Sequence, residues 1–226
     1  ATVMAIAKQA ENILRQKGDD PDCPYVLLTA FTGKAAHLIG GTTCHSSFSL
    51  KCGRKPCKMS DKTRARMRHS LENLKLIIID EISLLGSDLL YRIHKRLCTI
   101  FQVDWKSKKY PFANLNVLFV GDLLHLPPVR MNQVFREPIS KELRGLHDNL
   151  GDEALWKRFQ PMILKENHRQ GKCKDWADSL NRFRVGIVTP EDDALLRSRV
   201  TDKPFLDDNT FHTFYPNKDV TNHNDK

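Results

Sequence analysis

Apolar positions recur at helical spacing from the start of the chain: Val3, Ile6, Ala7, Ala10, Ile13 and Leu14 share one face, and Gly18 follows as a stop. The pattern then shortens. Tyr25 to Ala30 (YVLLTA) is a short apolar run long enough for a buried strand, and Ala35 to Ile39 reads as helix ended by Gly40-Gly41. Residues 74–81 (LKLIIIDE) form an Ile-rich run, as expected of a strand covered on both faces. Ser87 is expected to cap a helix whose apolar face is Leu90, Ile93, Leu97, Ile100 and Phe101. NVLFVGD (116–122) predicts a third buried strand, and MILKE (162–166) a fourth. Residues 141–156 read as a polar connection with helical potential. Asp175 to Val185 predicts a further helix ended by Gly186, and Thr189-Pro190 opens another with Glu191 and Asp192 in its first turn. The late run TFHTFY (210–215) is strand-like and leads into a polar segment. Strands alternating with helices predict an α/β fold with a mostly parallel sheet. A change in composition places a domain boundary near residue 160, and there is no internal repeat or low-complexity tract.

Composition adds little to the fold, since 226 residues at 40% hydrophobic content suffice for a core. No run of eighteen apolar residues exists, so no membrane span is expected. Residues 1–18 lack the layout of a secretory signal. The six cysteines (Cys23, Cys44, Cys52, Cys57, Cys98 and Cys173) are irregularly spaced and read as free thiols. Cys52 and Cys57 flank Gly-Arg-Lys-Pro, but no second ligand pair at matching spacing supports zinc. Charge is more informative. The net charge of +9 is concentrated where Lys51, Arg54, Lys55, Lys58, Lys62, Arg64, Arg66 and Arg68 face a single acid, Asp61. Such a field attracts polyanions, nucleic acid above all, although a solvated surface loop accounts for it equally well.

In parallel α/β sheets ligands gather at the carboxyl ends of the strands. Three such ends are polar here: Thr29 to Lys34, Asp80-Glu81 and Gly121-Asp122. An Asp at a strand end can hold magnesium while an adjacent Glu polarises water for attack on a phosphoryl group. An Asp-Glu pair that merely opens a loop is the plain alternative. The phosphate-cradling pattern G-x-x-x-x-G-K-[ST] does not occur. Thr32-Gly33-Lys34 mimics its tail, but Ala35 replaces the hydroxyl and Leu28 the first glycine.

The segments TAFTGKAAHLIGGTTCHSSF, LIIIDEISLL, VGDLLHLPPV, LKENHRQ, LNRFRVGIVTPEDDALL and YPNKDVTNHN follow one another in order. Together they resemble the PIF-type (petite integration frequency) DNA helicases, in the RecD-like branch of superfamily 1. The resemblance implies a RecA-like P-loop NTPase fold, truncated at both ends. Residues 1–160 would be a first RecA-like domain lacking its Walker A loop, with a basic wedge-like insertion at 49–73, and residues 161–226 the start of a second. It implies ATP and Mg2+ as cofactors, and 5′-to-3′ movement on single-stranded DNA with unwinding of forked or structured DNA. The settings it implies are repair, recombination or telomere maintenance, in the nucleus or mitochondrion; no membrane partner is expected, and the sequence leaves the oligomeric state open, a monomer being favoured.

The same resemblance assigns roles to individual residues. Asp80 would hold magnesium, and Glu81 would activate the attacking water. Arg169 would reach the γ-phosphate, with Asp122 and Gln170 also at the nucleotide. Thr29, Thr32, Gly33, Lys34, Thr43, His45, Ser46 and Phe48 match segments that line the DNA track. Phe48 is open between a stacking platform and core filler. The cations Lys51, Arg54, Lys55, Arg64, Arg66 and Arg68 would contact phosphates. The chain is expected to begin just past its own Walker A motif, with Thr2 to Gln16 as the helix that follows it, and alone to be inactive as an ATPase. Phe31 stands where the family usually has Pro, and Ala113-Asn114 where it has a Gly pair. His125 stands where it has Gln, at the position that senses the γ-phosphate. A neutral imidazole offers one donor, an amide two. A lost hydrogen bond to a charged phosphate costs about 1.5–3 kcal/mol, so a weakened ATPase is expected, sensitive to pH because imidazoles titrate near neutrality. A degenerate, transposon-derived copy that binds single-stranded nucleic acid without turnover is the alternative. An unrelated P-loop ATPase would leave the DNA-track segments unexplained.

Overall fold

The central apolar runs fold as strands in a computed structural model that describes residues 2–51, 58–166, 168, 170, 173–200 and 212–224. Two compact units divide the chain, Ala1–Lys165 and Glu166–Lys226. In the first, the order is α1 (Thr2–Leu14), β1 (Val26–Ala30), α2 (Gly33–Leu38), β2 (Thr42–Thr43), α3 (Cys44–Ser47), α4 (Asp61–Ser70), β3 (Leu76–Asp80), α5 (Ser87–Phe101), β4 (Asn116–Phe119) and α6 (Lys141–Leu150). The second contains α7 (Lys174–Arg184), α8 (Pro190–Arg197) and α9 (Asn217–Asn224).

The four strands form a wholly parallel sheet in the order β2-β1-β3-β4. β3 lies inside it, and Ile77, Ile78 and Ile79 are all fully buried, which is why that run is continuously aliphatic. One face is covered by α5, whose Leu89, Leu90, Ile93, Leu97 and Ile100 join Leu143, Leu146 and Leu150 of α6 in the main core. The other face is covered by Ala35, Ala36 and Ile39 against Ala30, with Val3 of α1 packed on them. Each such Leu or Ile contributes about 1.5–3 kcal/mol relative to an exposed side chain.

Several expectations change. Ser87 is not the cap of α5 but its first helical residue. Gly86 precedes the helix, and the Ser87 hydroxyl instead donates to the Glu137 carbonyl at 3.2 Å, because the site is buried. β4 is only half-buried, since it is the last strand of the described sheet. Residues 162–166 form no strand. No neighbouring strand among the described residues offers the backbone partners one needs, and Met162, Ile163 and Leu164 are exposed. Thr210 and Phe211 of the late strand-like run lie outside the described residues, as do Cys52 and Cys57; His212 to Tyr215 have no regular structure. The polar segment after them contains α9, which the apolar pattern did not signal. Cys23, Cys44 and Cys98 are buried free thiols and Cys173 an exposed one. No helix of the described residues is long and apolar enough to cross a membrane.

Two local devices hold the first unit together after α5. The buried His94 accepts the Phe112 N–H at Nδ1 (3.0 Å), so its Nε2 carries the proton and donates to the Trp105 carbonyl (2.8 Å). Phe112, Ala113 and Asn114 then run through three consecutive left-handed conformations, with φ of 51°, 57° and 64°. In the second unit, Gly186 (φ +77°) lets α7 turn into α8. Thr189 and Asp192 form a reciprocal capping box at the α8 N-terminus. The buried Asp192 also receives a two-pronged contact from Arg182, Nε to Oδ2 at 2.7 Å and Nη2 to Oδ1 at 2.5 Å.

Candidate functional site

Strand register brings the polar strand ends into one row. Thr43 pairs with Ala30, Ala30 with Asp80, and Ile79 with Phe119, so the segments after β1, β3 and β4 leave the same edge of the sheet beside Thr43. At about 4.8 Å per strand, Thr43 and Asp80 are roughly 10 Å apart.

Asp80 ends β3, and its Oδ1 accepts the Glu81 N–H at 2.9 Å. Glu81 turns the chain sharply, with φ 56° and ψ 52°, a left-handed conformation that costs a non-glycine residue about 1–2 kcal/mol. Strain of this kind persists where the surroundings over-determine it, as at functional sites. Beyond β3 the two acidic loops remain tied: the Ile82 N–H donates to the Val120 carbonyl at 3.1 Å and the Val120 N–H to Ile79 at 2.9 Å. Gly121 (φ +136°) allows this approach, because a Cβ there would lie 2.9 Å from the Ile82 nitrogen and 3.3 Å from the Glu81 Cα. Gly121 stands at one of the three polar strand ends named from the sequence, but its role in letting the two loops approach shows only in the fold.

After Gly121, Asp122 Oδ1 accepts the Leu124 N–H (2.9 Å), and its carbonyl accepts the His125 N–H (3.0 Å). This turn carries the imidazole back between two carboxylates, with Nδ1 3.8 Å from Glu81 Oε2 and Nε2 3.9 Å from Asp122 Oδ2. Glu81, Asp122 and His125 therefore converge, with Asp80 next to Glu81 at the end of β3. No group of three or more His, Cys, Asp or Glu among the described residues forms a metal cage. A magnesium ion held by one carboxylate, with water and substrate phosphates completing its shell, needs no such cage. Asp80 fits that role, because its second oxygen is not the one engaged by Glu81. Gln170 belongs to the second unit, where its carbonyl accepts the Cys173 N–H. Arg169 lies outside the described residues.

The residues matched to the DNA track divide into accessible and buried ones. Thr32 caps α2 by accepting the Ala35 N–H, leaving Gly33 and Lys34 exposed in its first turn. Thr43 caps α3 in the same way through Ser46, and His45 lies on that short helix. Thr29 and Phe48 are both fully buried, so neither reaches a strand. The Thr29 hydroxyl donates to Cys44 Sγ, and Phe48 is core filler rather than a stacking platform. The accessible ring is Phe31, half-buried and packed edge-on to His45 with centroids 6.1 Å apart. Burial, reinforced by the nearby Arg92 guanidinium, holds His45 below the usual imidazole range and keeps it neutral. Arg92 had no sequence signal, since it looks like any solvent-facing helix residue.

Of the basic run, Lys51 and Arg66 are exposed, and Arg64 pairs with Asp61 at 2.8 Å. Arg68 is turned inward, its Nε donating to the Ile100 carbonyl at the end of α5 (2.7 Å), which takes it out of the phosphate-facing set. Arg54 and Lys55 lie outside the described residues.

Comparison with known proteins places the chain among DNA helicases. The sequence pattern that defines the PIF1-like helicases matches residues 9–189. The chain is 30% identical over 171 residues to the ATP-dependent DNA helicase PIF1 of Saccharomyces cerevisiae, covering 74% of this chain and 18% of the yeast protein. It is 34% identical over 179 residues to the mouse helicase of the same name, covering 77% of this chain and 25% of that one. The Pif1 helicase from Bacteroides, solved with ADP-AlF3 and single-stranded DNA, superposes on 98% of this chain and half of its own, with a TM-score of 0.65 and 27% identity. The chain thus spans about a fifth to a quarter of those two relatives' lengths.

Proposed function

Because the chain belongs to the PIF1-like helicase family, we propose that it is the ATPase-and-DNA-track portion of an ATP-dependent DNA helicase that moves 5′ to 3′ on single-stranded DNA and opens forked or structured duplexes. Such a motor would serve repair, recombination or telomere maintenance in the nucleus or mitochondrion. One observation carries the reading: the acidic loops after β3 and β4 and the polar loops after β1 and at β2 leave one sheet edge in register.

On this reading Asp80 holds the magnesium ion, which when bound neutralises charge on the nucleotide phosphates. Glu81, held forward by its left-handed backbone, takes the proton of the attacking water. Asp122 and Gln170 belong to the nucleotide's surroundings, and Arg169 supplies positive charge to the transferring phosphoryl group. Lys34, Thr43, His45 and Ser46, with Lys51, Arg64 and Arg66, take the strand. The Bacteroides relative bound to single-stranded DNA supports the partner assignment. The two units are read as parts of two RecA-like domains.

In the full-length protein, Glu81→Gln should lower DNA-stimulated ATP hydrolysis about a hundredfold or more while single-strand affinity stays. Undiminished hydrolysis would sink the assignment. A second reading, a degenerate copy that binds strands without turnover, draws on His125, which sets a bulky ring beside Glu81 where the family has an amide.

A further inference from the structure

A cavity of about 340 Å³ lies between α5, α6 and the loop that runs from Arg130 to Ser140. It is at the small end of ligand pockets, which span roughly 300–1,000 Å³. Its apolar walls are Met131, Ile139 and Leu143. Gly86 is what lets Met131 lie against the start of α5, since a Cβ there would fall 2.6 Å from that of Met131. Both acids at the cavity are engaged internally. Asp88 accepts the N–H groups of Ile139 (2.7 Å) and Ser140 (3.0 Å), and Glu142 pairs with Lys95. The other charged groups are the guanidiniums of Arg92 and Arg130. Arg130 is itself held at φ 56°, a strained backbone that fixes where its side chain departs.

The cavity connects to the strand-facing residues through Arg92. Its Nη2 donates to the Lys51 carbonyl at 2.8 Å, just past α3, and its charge is felt at His45. Apolar walls accept the face of any base, and guanidiniums accept the phosphates beside it. We propose that this cavity is a subsite for single-stranded DNA, taking one unstacked base against Met131, Ile139 and Leu143 while Arg92 and Arg130 hold the adjoining phosphates. The inference rests on the DNA-binding reading above. An acidic peptide or a free nucleotide shares part of this chemistry. A strand fits best because one ligand then reaches both the His45–Lys51 stretch and the cavity.

Ile139 and Arg130 are exposed, so Ile139→Trp, which fills the cavity, and Arg130→Ala leave the fold intact; thermal melts verify this. Lys34→Ala, outside the cavity, reports on the rest of the track. Binding of a labelled oligo-dT strand is followed by anisotropy across salt concentrations. Strands with 2-aminopurine at successive positions report a base shielded from acrylamide. Ile139→Trp should weaken the strand about 5- to 100-fold and abolish the shielding at one position. Arg130→Ala should lower the salt slope by about 0.7. If both variants bind like wild type while Lys34→Ala is weakened, the subsite is wrong and the DNA-binding reading stands. If the wild-type chain binds no strand, both fall. If Ile139→Trp loses only ATP or an acidic peptide and keeps the strand, the cavity belongs to that ligand and the subsite falls.

Discussion

At the scale of single residues, the departures from the family pattern are where this chain is most testable. Ala113 stands where the family resemblance implies glycine, and its backbone has the left-handed conformation that glycine tolerates, φ 57°. That conformation costs an L-residue about 1–2 kcal/mol, of which glycine's greater freedom when unfolded returns about 0.5–1 kcal/mol. Ala113→Gly should therefore stabilise the first unit by about 0.5–1 kcal/mol, read from its urea midpoint; an unchanged or lower midpoint would contradict the strain. His125 is a further departure. It sits within 4 Å of both Glu81 and Asp122, where it offers one donor instead of an amide's two. Restoring the amide with His125→Gln should raise DNA-stimulated turnover of the full-length protein about tenfold or more; no change would show that the ring's presence is immaterial. The acids and the histidine were legible because they close apolar runs. Arg68 was not, because a cation that caps a helix and one that meets a phosphate look alike in a sequence.

At the scale of elements, apolar runs and periodicity located β1, β3 and α5, whose apolar positions match the surfaces they bury, while Gly186 and the Thr189-Pro190 start marked α7 and α8. It erred where a pattern depends on a partner. Residues 162–166 have a strand's composition, but a strand exists only beside another. α9 was missed because it buries no apolar face. Phe48 shows the same limit at the site. Its motif position suggested a ring facing DNA, whereas α3 turns it fully into the core. Phe48→Ala should cost about 3–5 kcal/mol of stability and leave strand affinity of the folded protein nearly unchanged. A selective loss of DNA binding in an equally stable variant would reverse that assignment.

At the scale of the whole molecule, the two units depend on acid-sensitive contacts of opposite robustness. In the first, burial holds His94 below the usual imidazole range despite its bond to Trp105, so the ring is neutral when folded. Its folded pKa lies below the unfolded value of 6.5, so stability is full above that pH and declines as acid charges the ring. In the second, Arg182 and Ser179 hold Asp192 well below the carboxylate range, so its contribution persists down to the unfolded value of 3.8 and fades only beneath it. Between pH 6.5 and 4, thermal melts should show the first unit losing stability while the second holds. Parallel decline of both, followed at Trp105 and Trp176, would contradict it.

The in-register row of Thr43, Ala30 and Asp80 also has a mechanical meaning. A slip of one residue between β1 and β3 would turn every side chain of a strand to the wrong face, so the two ends cannot advance past each other. The backbone leaves the strand direction at Glu81 and Gly121, so a relative shift of the two ends would fall on the loops that begin there and not on the paired strands.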